Sequence, residues 1–190
     1  MSHGFRRAWS VVVVASLAAC SSAGRPPAAS AATAPSDASA SQPPTKEAGC
    51  VARGPLPDPT CTPGAVMTTD LAVICGQSTQ PRRNVPASVH REAFTDYGYA
   101  YPQARGAFEV DHLIPLELGG DNIIANLWPE PAEPHPGFHE KDRVENYLHR
   151  QVCSGAMSLA DAQRQIATDW VSAWHAIQRS KESATDNAGE

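Results

Sequence analysis

Between Glu109 and Trp128 the sequence sets an acidic residue beside a histidine, Asp111-His112, ahead of Ile114-Pro115, a Gly119-Gly120 pair and Asn126-Leu127. A histidine changes charge near neutral pH and can take a proton from water. A neighbouring carboxylate can hold a hard divalent cation. Phosphodiester hydrolysis asks for little more: a base for the attacking water, and positive charge against the phosphate and the leaving oxygen. An Asp-His pair by itself is more often a hydrogen-bonded structural pair. The spacing to the proline, the two glycines and the asparagine turns the pair toward catalysis.

Those residues need elements to hold them. Phe108 and Val110 alternate with polar residues, as on a half-buried strand, and Leu118 to Asn122 reads as a turn. Ile123 to Trp128 is expected to form a second strand, and Pro129 to Gly137 a proline-rich loop. From Phe138 to about Val152 the period becomes helical, with Val144, Leu148 and Val152 on one stripe. Ser158 and Asp161 form a capping box for a last helix, whose Ile166, Trp170, Trp174 and Ile177 read as core packing. Earlier, Ser88 is a plausible N-cap for a short helix over Val89 to Tyr97 that Gly98 ends. The fold class expected is α+β, a small strand–turn–strand–helix core with flanking helices.

Asp111-His112, the Ile-Pro, the Gly-Gly turn and Asn126-Leu127 together resemble the signature of HNH, or ββα-metal, endonucleases, over about Gly106 to Val152. The resemblance implies His112 as general base and Asp111 as a metal ligand. It implies Asn126 as the central asparagine that pins the loop between the strands and so orients His112. The third signature position, a metal ligand on the helix, falls to His139 or to His135 in the preceding loop, and the helix offers the more rigid seat. The implied cofactor is a divalent metal ion, magnesium first, with zinc or manganese as alternatives. The implied activity is hydrolysis of DNA, and of RNA as a further substrate, with low sequence specificity, leaving a 5′-phosphate and a 3′-hydroxyl. His139-Glu140-Lys141-Asp142-Arg143 begins like a zinc-protease helix but carries Arg where the second His must stand.

Charge speaks weakly against a nucleic-acid partner. The chain carries 15 basic and 20 acidic residues, and removing Arg6 and Arg7 with a leader leaves 13 against 20, a balance of −7. Dedicated nucleic-acid binders are usually basic. The basic residues do gather, at Arg82, Arg83, Arg91 and Arg105 and again at Lys141, Arg143 and Arg150, so a local patch is the expected phosphate contact.

The N-terminus bears on compartment. Arg6 and Arg7 precede an apolar run, Val11 to Leu17, too short to span a bilayer. Leu17-Ala18-Ala19-Cys20 resembles a lipobox, which implies diacylation of Cys20 and a lipoprotein of the cell envelope, outer membrane or periplasm, anchored to the membrane. Residues 21–48 are mostly Ala, Ser, Pro and Thr, the composition of a disordered tether. The folded domain is expected over 49–180 and a fraying polar tail over 181–190. Export favours disulfides among Cys50, Cys61, Cys75 and Cys153. Three pairings are open, and the expected one joins Cys50 to Cys61 and Cys75 to Cys153. The rival to an enzyme is a catalytically degenerate HNH-fold envelope lipoprotein that serves as a binding or structural module.

Overall fold

The computed structural model describes residues 46–187, which lie within the compact unit Ala40–Glu190. The expected leader, Cys20 and most of the expected tether lie outside the described residues, as do residues 188–190. The fold is mixed α+β. In chain order it runs α1 (Leu71–Gly76), α2 (Ala87–Asp96), β1 (Phe108–His112), β2 (Leu127–Pro131), α3 (Phe138–Cys153) and α4 (Leu159–Asn187).

The core lies where α3 meets α4. Val144, Leu148 and Val152 interlock with Ala162, Ile166, Trp170 and Trp174, and Ile114 and Leu118 from the loop after β1 complete the cluster. The apolar positions recur every three or four residues, so one stripe of each helix faces the other. Trp170 is fully buried and its indole N–H donates to Pro55 O at 3.0 Å, tying the proline-rich loop to the core. Ser158 Oγ accepts from Asp161 N at 3.1 Å and so caps α4. The helix is kinked at Asp169, whose Oδ1 accepts from Ser172 N at 3.1 Å and caps the second part. α4 continues to Asn187 and takes in much of the expected tail.

β1 and β2 form an antiparallel pair with His112 opposite Leu127 and Phe108 opposite Pro131. The second strand therefore sits later than expected: Ile124–Asn126 is a 3-10 turn, and two prolines lie inside the strand. The bonds flanking the ladder explain why the prolines are tolerated. Leu113 N donates to Asn126 O at 2.8 Å and Ala132 N to Ala107 O at 2.9 Å. By the alternation of an antiparallel ladder, Pro129 and Pro131 then occupy positions that owe no N–H to β1. At α2, Pro86 rather than Ser88 is the N-cap residue, since proline's fixed φ suits entry to a helix.

Two disulfides staple the fold, Cys50–Cys61 and Cys75–Cys153. The first closes the loop ahead of α1, where Asp58 also accepts from Val51 N at 3.1 Å and Thr60 N at 2.9 Å. The second joins α1 to the end of α3.

Candidate functional site

The segment between β1 and β2 is held by close backbone approach. A Cβ on Gly120 would stand 1.7 Å from Ile114 O, and one on Gly119 2.1 Å from Thr68 O, so neither position admits a side chain. Gly119 also has φ of 83°, the left-handed region that glycine enters freely. The fully buried Asn126 amide fills the centre of this turn. Its Oδ1 accepts from Ile114 N at 2.9 Å and Ala65 N at 3.3 Å. Its Nδ2 donates to Ile114 O at 2.9 Å and Asp121 O at 2.8 Å.

Asn126 does not meet the His112 ring; Asn122 does. His112 Nε2 lies 2.8 Å from Asn122 Oδ1, while Asn122 Nδ2 donates to Arg82 O at 2.7 Å. The second bond orients the amide so that Oδ1 faces the histidine. The proton is thereby assigned to Nε2, which leaves Nδ1 as the basic nitrogen. Burial lowers the His112 pKa, against the opposing pull of the Asn122 bond and the Asp111 charge, so the ring is neutral at neutral pH.

Lys141 crosses from α3 to the end of β1. Its ammonium is wholly buried and donates to Asp111 Oδ2 at 2.6 Å, His112 O at 2.8 Å and Glu145 Oε1 at 2.5 Å. Glu130 Oε2 lies 3.8 Å away, also fully buried. This corrects the expected role of Lys141 as a phosphate contact, because an ammonium with all three protons committed in the interior cannot meet a ligand. Burial opposes ionisation of Lys141, but Asp111, Glu145 and Glu130 together raise its pKa well above the ordinary lysine value. Burial likewise works to raise Asp111, and the Lys141 charge overcomes it and holds the carboxylate ionised. Glu130 and Glu145 go the other way, pushed upward by burial.

A polar cavity of about 320 Å³ opens beside the cluster, lined by Glu109, Asp111, His112, Asp142, Glu145 and Asn146, with Arg83 and Glu117 at one side. Asp111 and His112 thus share a cavity with α3. The helix residues that line it are Asp142, Glu145 and Asn146, not the expected histidine. His135 is exposed, pairs with Glu133 at 3.0 Å and Glu140 at 3.1 Å, and lines a separate pocket. His139 is exposed with its ring 4.1 Å from that of Phe138, and it does not line the cavity. Asn146 was legible as the residue one turn after Asp142 on α3, a spacing that carries both to one face.

Among the expected phosphate contacts, Arg83 lines the cavity and pairs with Glu117. Arg105 lies in a depression further along β1. Arg143 stacks over Trp174 at 5.6 Å, and the guanidinium nitrogens Nη1 and Nη2 of Arg82 are buried without a partner among the described residues. The Arg82 guanidinium is thereby withdrawn from a ligand, whereas Arg143 stays exposed on α3.

A second group lies elsewhere. Ligand atoms of Cys75, His149 and Cys153 fall within 4.8 Å of one another, a set that could hold a metal ion. Here the two sulfurs are joined to each other and His149 Nε2 lies 3.0 Å from Ile74 O.

No family model, curated protein or solved structure matches this chain.

Proposed function

We propose that the chain is a metal-dependent phosphodiesterase of the HNH type, acting on DNA or RNA with low sequence specificity. The observation that carries this is the pairing of a neutral, oriented His112 with an oxygen-lined cavity that α3 completes. β1, β2 and α3 then correspond to the ββα core that the sequence resembles.

The donor set fits a hard cation. Burial, then the neighbouring carboxylates Asp111 and Asp142, raise Glu109; burial and Asp111 likewise raise Asp142. Such crowding is what a bound divalent ion relieves. Asp111, with Asn146 and Asp142, would hold magnesium or a similar ion, which supplies charge against the phosphate and the leaving oxygen when bound. The chain's own work is to position and deprotonate water. Nδ1 of His112 accepts a proton as water attacks phosphorus, while Nε2–H stays bonded to Asn122. The resulting imidazolium is stabilised by the Asp111 charge. Asn126 acts through the loop and is a positioning residue.

One observation favours a second reading. Lys141 already compensates Asp111, so a fold that has lost cleavage and only binds would be electrostatically complete. Plasmid nicking by the purified protein, with magnesium or with EDTA, separates the two. Nicking should need the metal and disappear in His112→Ala at an unchanged unfolding midpoint. Wild-type cleavage by His112→Ala would overturn the mechanism, and metal-independent inertness of the parent chain would favour the binding module. We further propose export and lipid anchoring at Cys20, with which two disulfides are compatible. Intact mass of the native protein lacking acyl chains would refute this.

A further inference from the structure

The cavity at His112 does not end there. A neighbouring depression shares Glu109, Asp111 and His112 with it and adds His90 and Val85. A third shares His90, Glu109 and Val110 with the second and runs on to Tyr101, Arg105 and Phe108. The three follow β1 from its end at His112 to its start at Phe108, roughly 13 Å at ~3.3 Å per residue.

The far end is an aromatic platform. The rings of Tyr99 and Phe108 lie 4.8 Å apart, those of Phe94 and Tyr101 5.3 Å, and those of Phe94 and Phe108 5.9 Å. Phe94 is buried, but Tyr99 and Tyr101 remain 39% and 42% exposed. The Arg91 guanidinium lies 5.9 Å from the Tyr101 ring centre, and Arg105 is exposed beside it. Exposed rings at the end of a groove, flanked by guanidinium groups, offer stacking surface for a base and charge for its phosphates.

We infer that this groove receives an unpaired stretch of nucleic acid, with a base stacked on Tyr101 and the backbone led along β1 to His112. The inference rests on the proposed nuclease site and names its substrate class: single-stranded rather than duplex. Bases inside a duplex have both faces covered by their neighbours and cannot stack on a side chain. The chain is also net acidic, −5 overall, and Glu109 lies in mid-groove. Phosphate attraction alone, the main source of duplex affinity, is therefore weak here. A stacked base is worth ~1–3 kcal/mol, and it needs no net positive field.

The test is fluorescence anisotropy of a labelled oligothymidine, and of its duplex with oligoadenine, on the full His112→Ala chain without cleavage. The single strand should bind more tightly than the duplex. Adding Tyr101→Ala should weaken single-strand binding by about 5- to 150-fold, the span of ~1–3 kcal/mol, and leave duplex binding unchanged. Tyr101→Phe should restore it. Photocrosslinking of a 5-iodouracil oligonucleotide to the unaltered chain should label the peptide carrying Tyr99 and Tyr101, which covers the case of a variant that fails to fold. Equal binding with and without the Tyr101 ring, a duplex preference, or Tyr101-dependent binding of an N-acetylhexosamine oligomer in place of oligothymidine would overturn the inference. Its fate is separable from that of the nuclease site: Tyr101-dependent binding without cleavage in the parent sinks only the latter, and cleavage without Tyr101-dependent binding sinks only the former.

Discussion

Replacing Lys141 by methionine keeps most of the side-chain stem and removes the charge. Three hydrogen bonds disappear, to Asp111, Glu145 and the His112 carbonyl. Hydrogen bonds to charged groups contribute ~1.5–3 kcal/mol each, a gross loss of about 4.5–9 kcal/mol. Part is offset because the ammonium no longer has to be stripped of water, a cost of several kcal/mol. The net loss expected on breaking such a buried pair is ~3–5 kcal/mol, a large share of the ~5–15 kcal/mol that holds a typical domain. The buried indoles of Trp128 and Trp170 report unfolding in urea by fluorescence. With a slope of ~2 kcal/mol per molar, the midpoint should fall by about 2 M at pH 7. The pH dependence adds a second mark. In the native chain Asp111 is held below its ordinary range, so its contribution is present above the unfolded pKa and fades as pH falls. Without Lys141 burial is the largest influence left on Asp111 and raises it against the Glu130 hydrogen bond and the His112 charge, so the variant should regain stability as the carboxylate takes up a proton. The deficit should therefore narrow from pH 7 to pH 5. A loss under ~1 kcal/mol at pH 7, or a deficit that widens on acidification, would refute the charge assignment.

Three further outcomes are expected. Opening Cys75–Cys153, which spans 78 residues, should cost ~4.5 kcal/mol, against ~3 kcal/mol for Cys50–Cys61 across 11; paired Cys→Ser variants in urea that reverse this order would contradict the loop-closure account. Burial, helped by Glu92 and Glu47, raises Asp96 to about 6, so its favourable contribution is full below its ordinary pKa and lost as pH rises through about 6. Asp96→Asn should thus gain ~1–2 kcal/mol over the native chain at pH 7 to 8, discounted for solvent screening, and nothing at pH 3, which unfolding across pH can show. Asn126→Ala leaves two N–H groups and two carbonyls without their partner and should cost ~3 kcal/mol along with cleavage; an unchanged midpoint would deny the loop its pin.

The α3 and α4 stripes were legible because helical period and burial coincide there: Val144, Leu148 and Val152 face Ile166, Trp170 and Trp174. The strands were legible in kind and misplaced in register. Proline is a loop signal in sequence, yet Pro129 and Pro131 face away from the ladder, and only the pairing with β1 reveals that. α1 is six residues long with one buried position, too little periodicity to stand out, and Cys75–Cys153 supplies the anchoring its own sequence lacks.

The site was legible on β1 and much less so on α3, and the reason is one of partners. A lysine in sequence is by default exposed, since burying its charge needs anions that only the fold can bring. Those of Lys141 come from β1, β2 and the next turn of α3, at 30, 11 and 4 residues' distance, so no local pattern announces them. Once Lys141 is fixed against Asp111, the helix dictates the rest. At ~100° per residue, Asp142, Glu145 and Asn146 fall within a sector of about 100° beside it, toward the cavity. His139 lies at a similar angle to Asn146 but seven residues earlier, about 10 Å back along the axis. Ligand chemistry pointed to the histidine as the better donor, but the rise of the helix sets which side chains line the cavity with His112, and those are Asp142, Glu145 and Asn146.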